Sequence, residues 1–244
     1  MKKILISIYF QHTFILIAQI TPNSQWTWMK GDSISGVASI YGTQGIASNS
    51  NKPGARHGAV SWTDLSGNLW LFGGRYNTPS LIDENVNDLW KYTPSTNQWT
   101  YIKGGSGPIY GTKGIAATDN KPGGRNGAVS WTDNSGNLWL FGGYGLASNG
   151  VDELNDLWKY DPANNMWTWM KGDSISGVAG VYGTQGVASS ANKPPARDGA
   201  VSWSDGLGNL WLLEGRLRLR LFLLKLIGST TCGNITFQQM NGHG

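Results

Sequence analysis

Cysteine is almost absent: Cys232 is the only one in 244 residues, so no internal disulfide can form. Charge is scarce as well. Asp, Glu, Lys and Arg make up 14% of the chain, against roughly 25% in an ordinary globular domain, which argues against a coiled coil and a typical helical enzyme. Only three histidines occur, His12, His57 and His243, too few to staff a nucleophile–His–acid set with one to spare. Apolar runs are short, and those near the N-terminus fall below the ~20 residues that a membrane-spanning helix needs. What is plentiful is glycine, with 35 residues, and tryptophan, with 13. Disordered chains are poor in aromatics, so a turn-rich, aromatic-cored β protein remains. The length suits one large all-β domain of about 200–250 residues.

The net charge of +4 comes from the ends. Without Lys2 and Lys3, and without Glu214, Arg216, Arg218, Arg220 and Lys225, the body carries −1. A near-neutral body has no basic stripe for phosphates, which excludes nucleic acid as a partner. Residues 1–19 read as a secretory signal: Lys2-Lys3, then apolar runs at Ile4–Phe10 and Phe14–Ala18, then polar Thr21–Ser24. The alternative is a buried first strand. A secreted or surface chain without disulfides points to a bacterial setting, and no membrane span is expected in the mature chain.

Internal repetition dominates the rest. WTWMKGD at 26–32 returns as WTYIKGG at 99–105 and WTWMKGD at 167–173. GAVSWTD at 58–64 returns at 127–133 and, as GAVSWSD, at 199–205. NLWLFGG occurs at 68–74 and 137–143, and NDLWKY at 87–92 and 155–160. Twelve of the 13 tryptophans fall in these motifs, and Trp211 stands at the matching position of N-L-W-L at 209–212.

Each unit holds four short β-type runs. GAVSW is rich in small residues, as a strand crowded near an axis must be. A turn of the form D-x-S-G-N follows. NLWLF is apolar on both faces, since Leu69 and Leu71 alternate with Trp70 and Phe72. A sheet buried on both faces must lie between neighbours. NDLWKY and WTWM complete the unit across a short turn such as Thr93–Gln98. Four antiparallel strands per unit, stacked in tandem, describe a propeller blade. Burying the tryptophans is worth about 2–3 kcal/mol each, so they are expected to form blade-to-blade core rather than sugar-stacking platforms.

The paired glycines after the second run (Gly73-Gly74, Gly142-Gly143), followed by Tyr92 and Trp99 or Tyr160 and Trp167, resemble kelch repeats over about 26–212. A kelch unit has ~50 residues and these have about 70, so each carries a long insertion. The resemblance implies an all-β, partial kelch-type β-propeller of four-stranded antiparallel blades, about three in number and not closed, over residues 20–212.

All long connections follow even strands and so emerge on one face; the odd connections are tight turns. Function usually sits on elaborated loops. The insertions share YGTQGIAS…NKPGAR at 41–56, YGTKGIAA…NKPGGR at 110–125 and YGTQGVAS…NKPPAR at 182–197. Arg56, Arg125 and Arg197, each just before an innermost strand, and Tyr41, Tyr110 and Tyr182 are therefore the candidate ligand-binding residues. Alternatively, each arginine hydrogen-bonds loop carbonyls or stacks on a tryptophan.

Some kelch-like propellers are enzymes, the galactose-oxidase type being copper-dependent, but its Tyr and His ligands and Cys–Tyr crosslink find no match here. Sialidase-like propellers carry S-x-D-x-G-x-T-W turns, and Asp64-Leu65-Ser66-Gly67 has a different spacing. The acidic groups Asp83-Glu84/Asp88 and Asp152-Glu153/Asp156 lack the order of a calcium loop and read as solvated loop acids. The sequence thus leads to a non-catalytic binding module, not an enzyme, with no cofactor and no metal. Its partner is a protein or carbohydrate ligand, and its open blade edges favour self-association. Two alternatives are a fragment of a glycan-active enzyme that lacks its catalytic residues and a truncated product without function.

After Trp211 the motif breaks. LFGG is replaced by Leu212-Leu213-Glu214-Gly215 and an anomalous tail. Loss of one T from codons for WLFGG gives WLLEG, and a shifted back-translation of 227–244 can read WLNDLWKYNLSTNEWTW, close to 154–169. Residues 213–244 are accordingly expected to be an out-of-frame remnant.

Overall fold

The computed structural model describes residues 16–20, 25–78, 81–205, 208–213 and 215. They divide into two compact units: one runs to Gly107 and takes in Gly123–Asn126, and the other comprises Pro108–Pro122 and the chain from Gly127 onward. All regular structure among the described residues is β.

In unit one the strands are β1 (Leu16–Ile20), β2 (Trp26–Gly31), β3 (Arg56–His57), β4 (Val60–Thr63), β5 (Leu69–Phe72), β6 (Arg75–Thr78), β7 (Leu81–Asn85), β8 (Leu89–Thr93), β9 (Gln98–Lys103) and β10 (Arg125–Asn126). β4, β5, β8 and β9 form one antiparallel four-stranded blade in that order. Its registers place Leu71 opposite Trp90 and Tyr92 opposite Trp99. Unit two holds β11 (Val129–Thr132), β12 (Leu138–Phe141), β13 (Tyr144–Ala147), β14 (Gly150–Glu153), β15 (Leu157–Asp161), β16 (Met166–Lys171), β17 (Val201–Ser204) and β18 (Leu210–Leu213). β11, β12, β15 and β16 repeat the blade, and β17–β18 repeat its first two strands.

The strand-one-to-two turn shows how the repeat encodes its geometry. Asp64 accepts hydrogen bonds from the Ser66 and Asn68 amides, the Asn68 side chain and the Trp70 indole N–H. The aspartate thus closes the turn and anchors the strand-two tryptophan together. Asp133 does the same for Trp139, and Asp205 for Trp211.

Every residue of β5 is buried, as its apolarity on both faces requires. Within unit one, Leu69, Leu71, Trp90, Tyr92 and Trp99 form a core on which Met29 of β2 packs. Within unit two, Val129, Trp131, Phe141 and Leu157 of one blade pack with Leu212 of β18. Seven tryptophans are buried, whereas Trp26, Trp28 and Trp203 are exposed. The core reading therefore holds for the complete blades, and the exposed rings lie on β2 and β17.

Two features differ from the sequence reading. The connections after strand two, 75–86 and 144–154, are hairpins rather than loops: β6 pairs with β7 and β13 with β14. β1 overlaps the segment read as a leader, and it pairs with β2 antiparallel. The tail beyond Gly215 lies outside the described residues.

The insertions protect blade edges. In the first, the Gly45 amide donates to Tyr101 O at 2.8 Å, the Ser48 amide to Trp99 O at 3.2 Å and the Gln44 side chain to Ile102 O at 2.8 Å. In the second, Gly114 and Ala117 donate to Trp169 O and Trp167 O. Each loop occupies the outer edge of a fourth strand, which otherwise presents bare amides and carbonyls.

Gly172 closes unit two's fourth strand with φ +81°, and a Cβ there would overlap the Asn155 carbonyl oxygen. Gly172→Ala should therefore cost at least about 1–3 kcal/mol, read as a lowered urea midpoint; an unchanged midpoint would remove this constraint.

Candidate functional site

Arg56 opens strand one of the first blade and is 2% exposed. All three of its nitrogens are engaged inside the unit. Nε donates to Gly54 O at 3.1 Å, and one terminal nitrogen donates to Gly73 O at 3.0 Å and to Asp88. The other donates to Asp88 Oδ2 at 2.7 Å and Tyr76 Oη at 2.9 Å. Burial works against the guanidinium charge, but Asp88 more than compensates and holds its pKa above the ordinary value. Its face lies 4.8 Å from the Tyr76 ring centre, so the aromatic partner is a tyrosine rather than a tryptophan.

Asp88 is the node of this cluster. It also accepts from the Trp90 indole N–H at 2.7 Å and from Tyr41 Oη at 3.3 Å. Tyr41 stacks on Trp90 at 5.2 Å; burial, followed by the Asp88 charge, raises its phenol pKa. Unit two repeats the arrangement: Tyr110 Oη and the Trp158 indole both donate to Asp156 Oδ2, at 2.9 and 2.8 Å. Asp88 and Asp156 were read as solvated loop acids. They are buried, and each ties an insertion loop to the third strand of a blade.

Arg125 is also buried, with Nε on Gly123 O at 3.0 Å. Arg197 is only half-buried. Its Nε donates to Pro195 O at 3.2 Å, it hydrogen-bonds Tyr182, and burial lowers its pKa. Tyr182 is exposed, whereas Tyr110 is buried. Of the six candidates, Arg197 and Tyr182 form the guanidinium–phenol pair nearest to solvent.

Beside that pair lies an acid pair: Glu153, which was read as a solvated loop acid and is buried, and Asp198, which the sequence reading passed over. In unit one, the residue after the strand-one arginine's second copy, Asn126, donates from its amide to Asn85 Oδ1 at 2.7 Å. The corresponding residues of unit two are Asp198 and Glu153. The Arg197 amide donates to Leu154 O at 2.9 Å and fixes the two segments side by side. Two acids therefore meet where two amides meet in the other unit. Glu153 is 2% exposed, and Asp198 Oδ1 is buried with no hydrogen-bond partner. Burial raises the Glu153 pKa to about 7, and the neighbouring Asp152 and Asp198 carboxylates add to the rise. Both effects penalise the charged form, so Glu153 holds its proton up to near neutrality. An E-L-N-D-L-W string carries no sign of this; the only signal is the change from Asn85 and Asn126 to Glu153 and Asp198.

A carboxyl that binds its proton more tightly when folded favours the folded state at low pH. That contribution is lost as pH rises from about 4.5 through about 7. Relative to Glu153→Gln, the native chain should thus lose about 1–3 kcal/mol of stability between pH 4.5 and 8. Paired urea titrations at the two pH values check this, and parallel pH profiles would contradict it.

Among the described residues, no group of three or more His, Cys, Asp and Glu is placed to hold a metal ion, and no helix is long and apolar enough to cross a membrane.

No family model matches the chain. Two curated proteins named N-acetylneuraminate epimerase, from Escherichia coli O139:H28 (strain E24377A / ETEC) and Escherichia coli O157:H7, are each 25% identical over 197 residues, covering 64% of this chain and 48% of the relative. The solved "Structure of YjhT" superposes with a TM-score of 0.50 at 18% identity, over 83% of this chain and 51% of that one. The fold is that of a partial β-propeller of four-stranded antiparallel blades. The chain spans about half the length of the curated relatives it matches. The expectation that it is not an enzyme is overturned by those relatives, which are named as epimerases.

Proposed function

We propose that this kelch-type chain forms part of an epimerase acting on an acidic amino sugar of the N-acetylneuraminate kind, with the reacting groups in unit two. The observation that carries the reading is the match to curated epimerases along 64% of the chain. The chemistry of unit two supports it. The substrate is a carboxylate, and Arg197, half-buried and hydrogen-bonded to Tyr182, offers a cation where solvent reaches. Epimerisation breaks a bond at one carbon and remakes it with inverted configuration, which needs a group that gives up a proton and takes it back. A carboxyl poised near pH 7 suits that task, because donor and acceptor forms are both populated. Glu153, beside Asp198, is that group.

Proton NMR tests this directly, by following interconversion of the two N-acetylneuraminate epimers with and without the purified chain. Equilibration faster than in buffer is the expected result. Substrate binding without acceleration would keep the sugar and remove the acid role of Glu153. Neither binding nor acceleration would overturn the proposal.

A further inference from the structure

We infer that the unfilled edge of β18 is completed by β1 of a second copy of this 244-residue chain, so that the two copies pair head to tail and build shared blades. Three observations carry this. First, β17–β18 are the first two strands of a blade: Trp203 opposes Trp211 as Trp62 opposes Trp70. In both complete blades the free side of strand two is taken by strand three, with Leu69 opposite Tyr92, Leu71 opposite Trp90 and Phe72 opposite Leu89. Among the described residues, β18 has only β17 beside it.

Second, β1–β2 are built as strands three and four. In complete blades the third–fourth pairing carries a bulge after Leu89 and after Leu157. The β1–β2 pairing carries it after Ile17, with Ile20 opposite Trp26 as Tyr92 is opposite Trp99. Transferring the observed register places Leu210 opposite Ile20, Leu212 opposite Ala18 and Leu213 opposite Ile17. The halves at the two ends of the described chain are complementary parts of one blade.

Third, the third insertion awaits the same partner. The first two insertions lie along Trp99–Tyr101 and Trp167–Trp169 of a fourth strand. The equivalent surface of the third exposes Tyr182, more than Tyr41 or Tyr110, and the equivalent fourth strand, β2, exposes Trp26 and Trp28. Two copies paired in this way supply six blades, within the four to eight at which propellers close.

The test uses the full chain carrying Cys232→Ser. Chains with Ile17→Cys and chains with Leu213→Cys are oxidised separately and as a mixture, and the unmodified chain is weighed by native mass spectrometry. The expected results are a disulfide-linked product of twice 26.4 kDa in the mixture only, and two copies in the native spectrum. Replacing Ile17→Cys with Gln19→Cys, two residues out of register, should cut the yield at least several-fold. A native monomer, or a ladder of longer assemblies, would overturn the pairing. So would an Ile17→Cys/Leu213→Cys double variant that closes within one chain, or equal yields for both registers.

Discussion

Asp88→Ala is expected to lower the stability of unit one by about 3–5 kcal/mol, because it leaves the Arg56 guanidinium buried without its counter-charge. The same change strips the Trp90 indole and Tyr41 of an acceptor. Arg56→Leu should cost a similar amount for the mirrored reason, since the Asp88 carboxylate is then stranded. Arg56→Leu/Asp88→Leu should cost less than the two single changes added together, because neither charge remains to be desolvated alone. Urea denaturation followed by tryptophan fluorescence measures all three. A cost below about 1 kcal/mol for either single variant is what an exposed, screened pair would give, and it would show that the cluster is not the brace described.

Under the proposed function, Glu153→Gln should reduce epimer interconversion by about two to four orders of magnitude. The amide fills the same space but neither releases nor accepts the proton. The native rate should fall away on both sides of neutrality, since Glu153 titrates near 7, and the Glu153→Gln chain should lack that profile. Arg197→Leu should instead raise KM, because Arg197 is assigned to the sugar carboxylate. Rate measurements by proton NMR from pH 5 to 9 separate the two effects. A Glu153→Gln chain with the native rate and pH profile would place proton transfer elsewhere.

Strand order and pairing were legible because each run carries its own local mark. The D-x-S-G-N turn, the doubly apolar N-L-W-L-F run and the Tyr/Trp pair of strands three and four each dictate a conformation over a few residues. The β6–β7 hairpin was not legible: R-Y-N-T-P-S-L-I-D-E-N has no regular alternation, and Pro79 reads as a loop marker. β1 was ambiguous because L-I-A-Q-I suits a leader and a strand equally well; its register with β2 is a tertiary fact.

The site was harder to read than the fold. Asp88, Asp152, Glu153 and Asp156 look alike in sequence, as acids near N-D-L-W. What separates them is long-range: Asp88 meets an arginine 32 residues away, whereas Glu153 meets Asp152 and Asp198. The repeated arginines suggested one shared role, yet Arg56 is fully engaged within its unit and Arg197 is half open. Repetition in sequence set the position of each arginine but not its partners.

The most direct measurement is a carbon-13 NMR titration of the glutamate side-chain carboxyls. Glu84, Glu153 and Glu214 are the only three in the chain, so assignment needs just the Glu153→Gln variant. The buried acid pair predicts one carboxyl titrating near pH 7, absent from the variant. Three carboxyls all titrating near the ordinary value of about 4.3 would contradict it, and would remove the proton-transfer group on which the proposed chemistry depends.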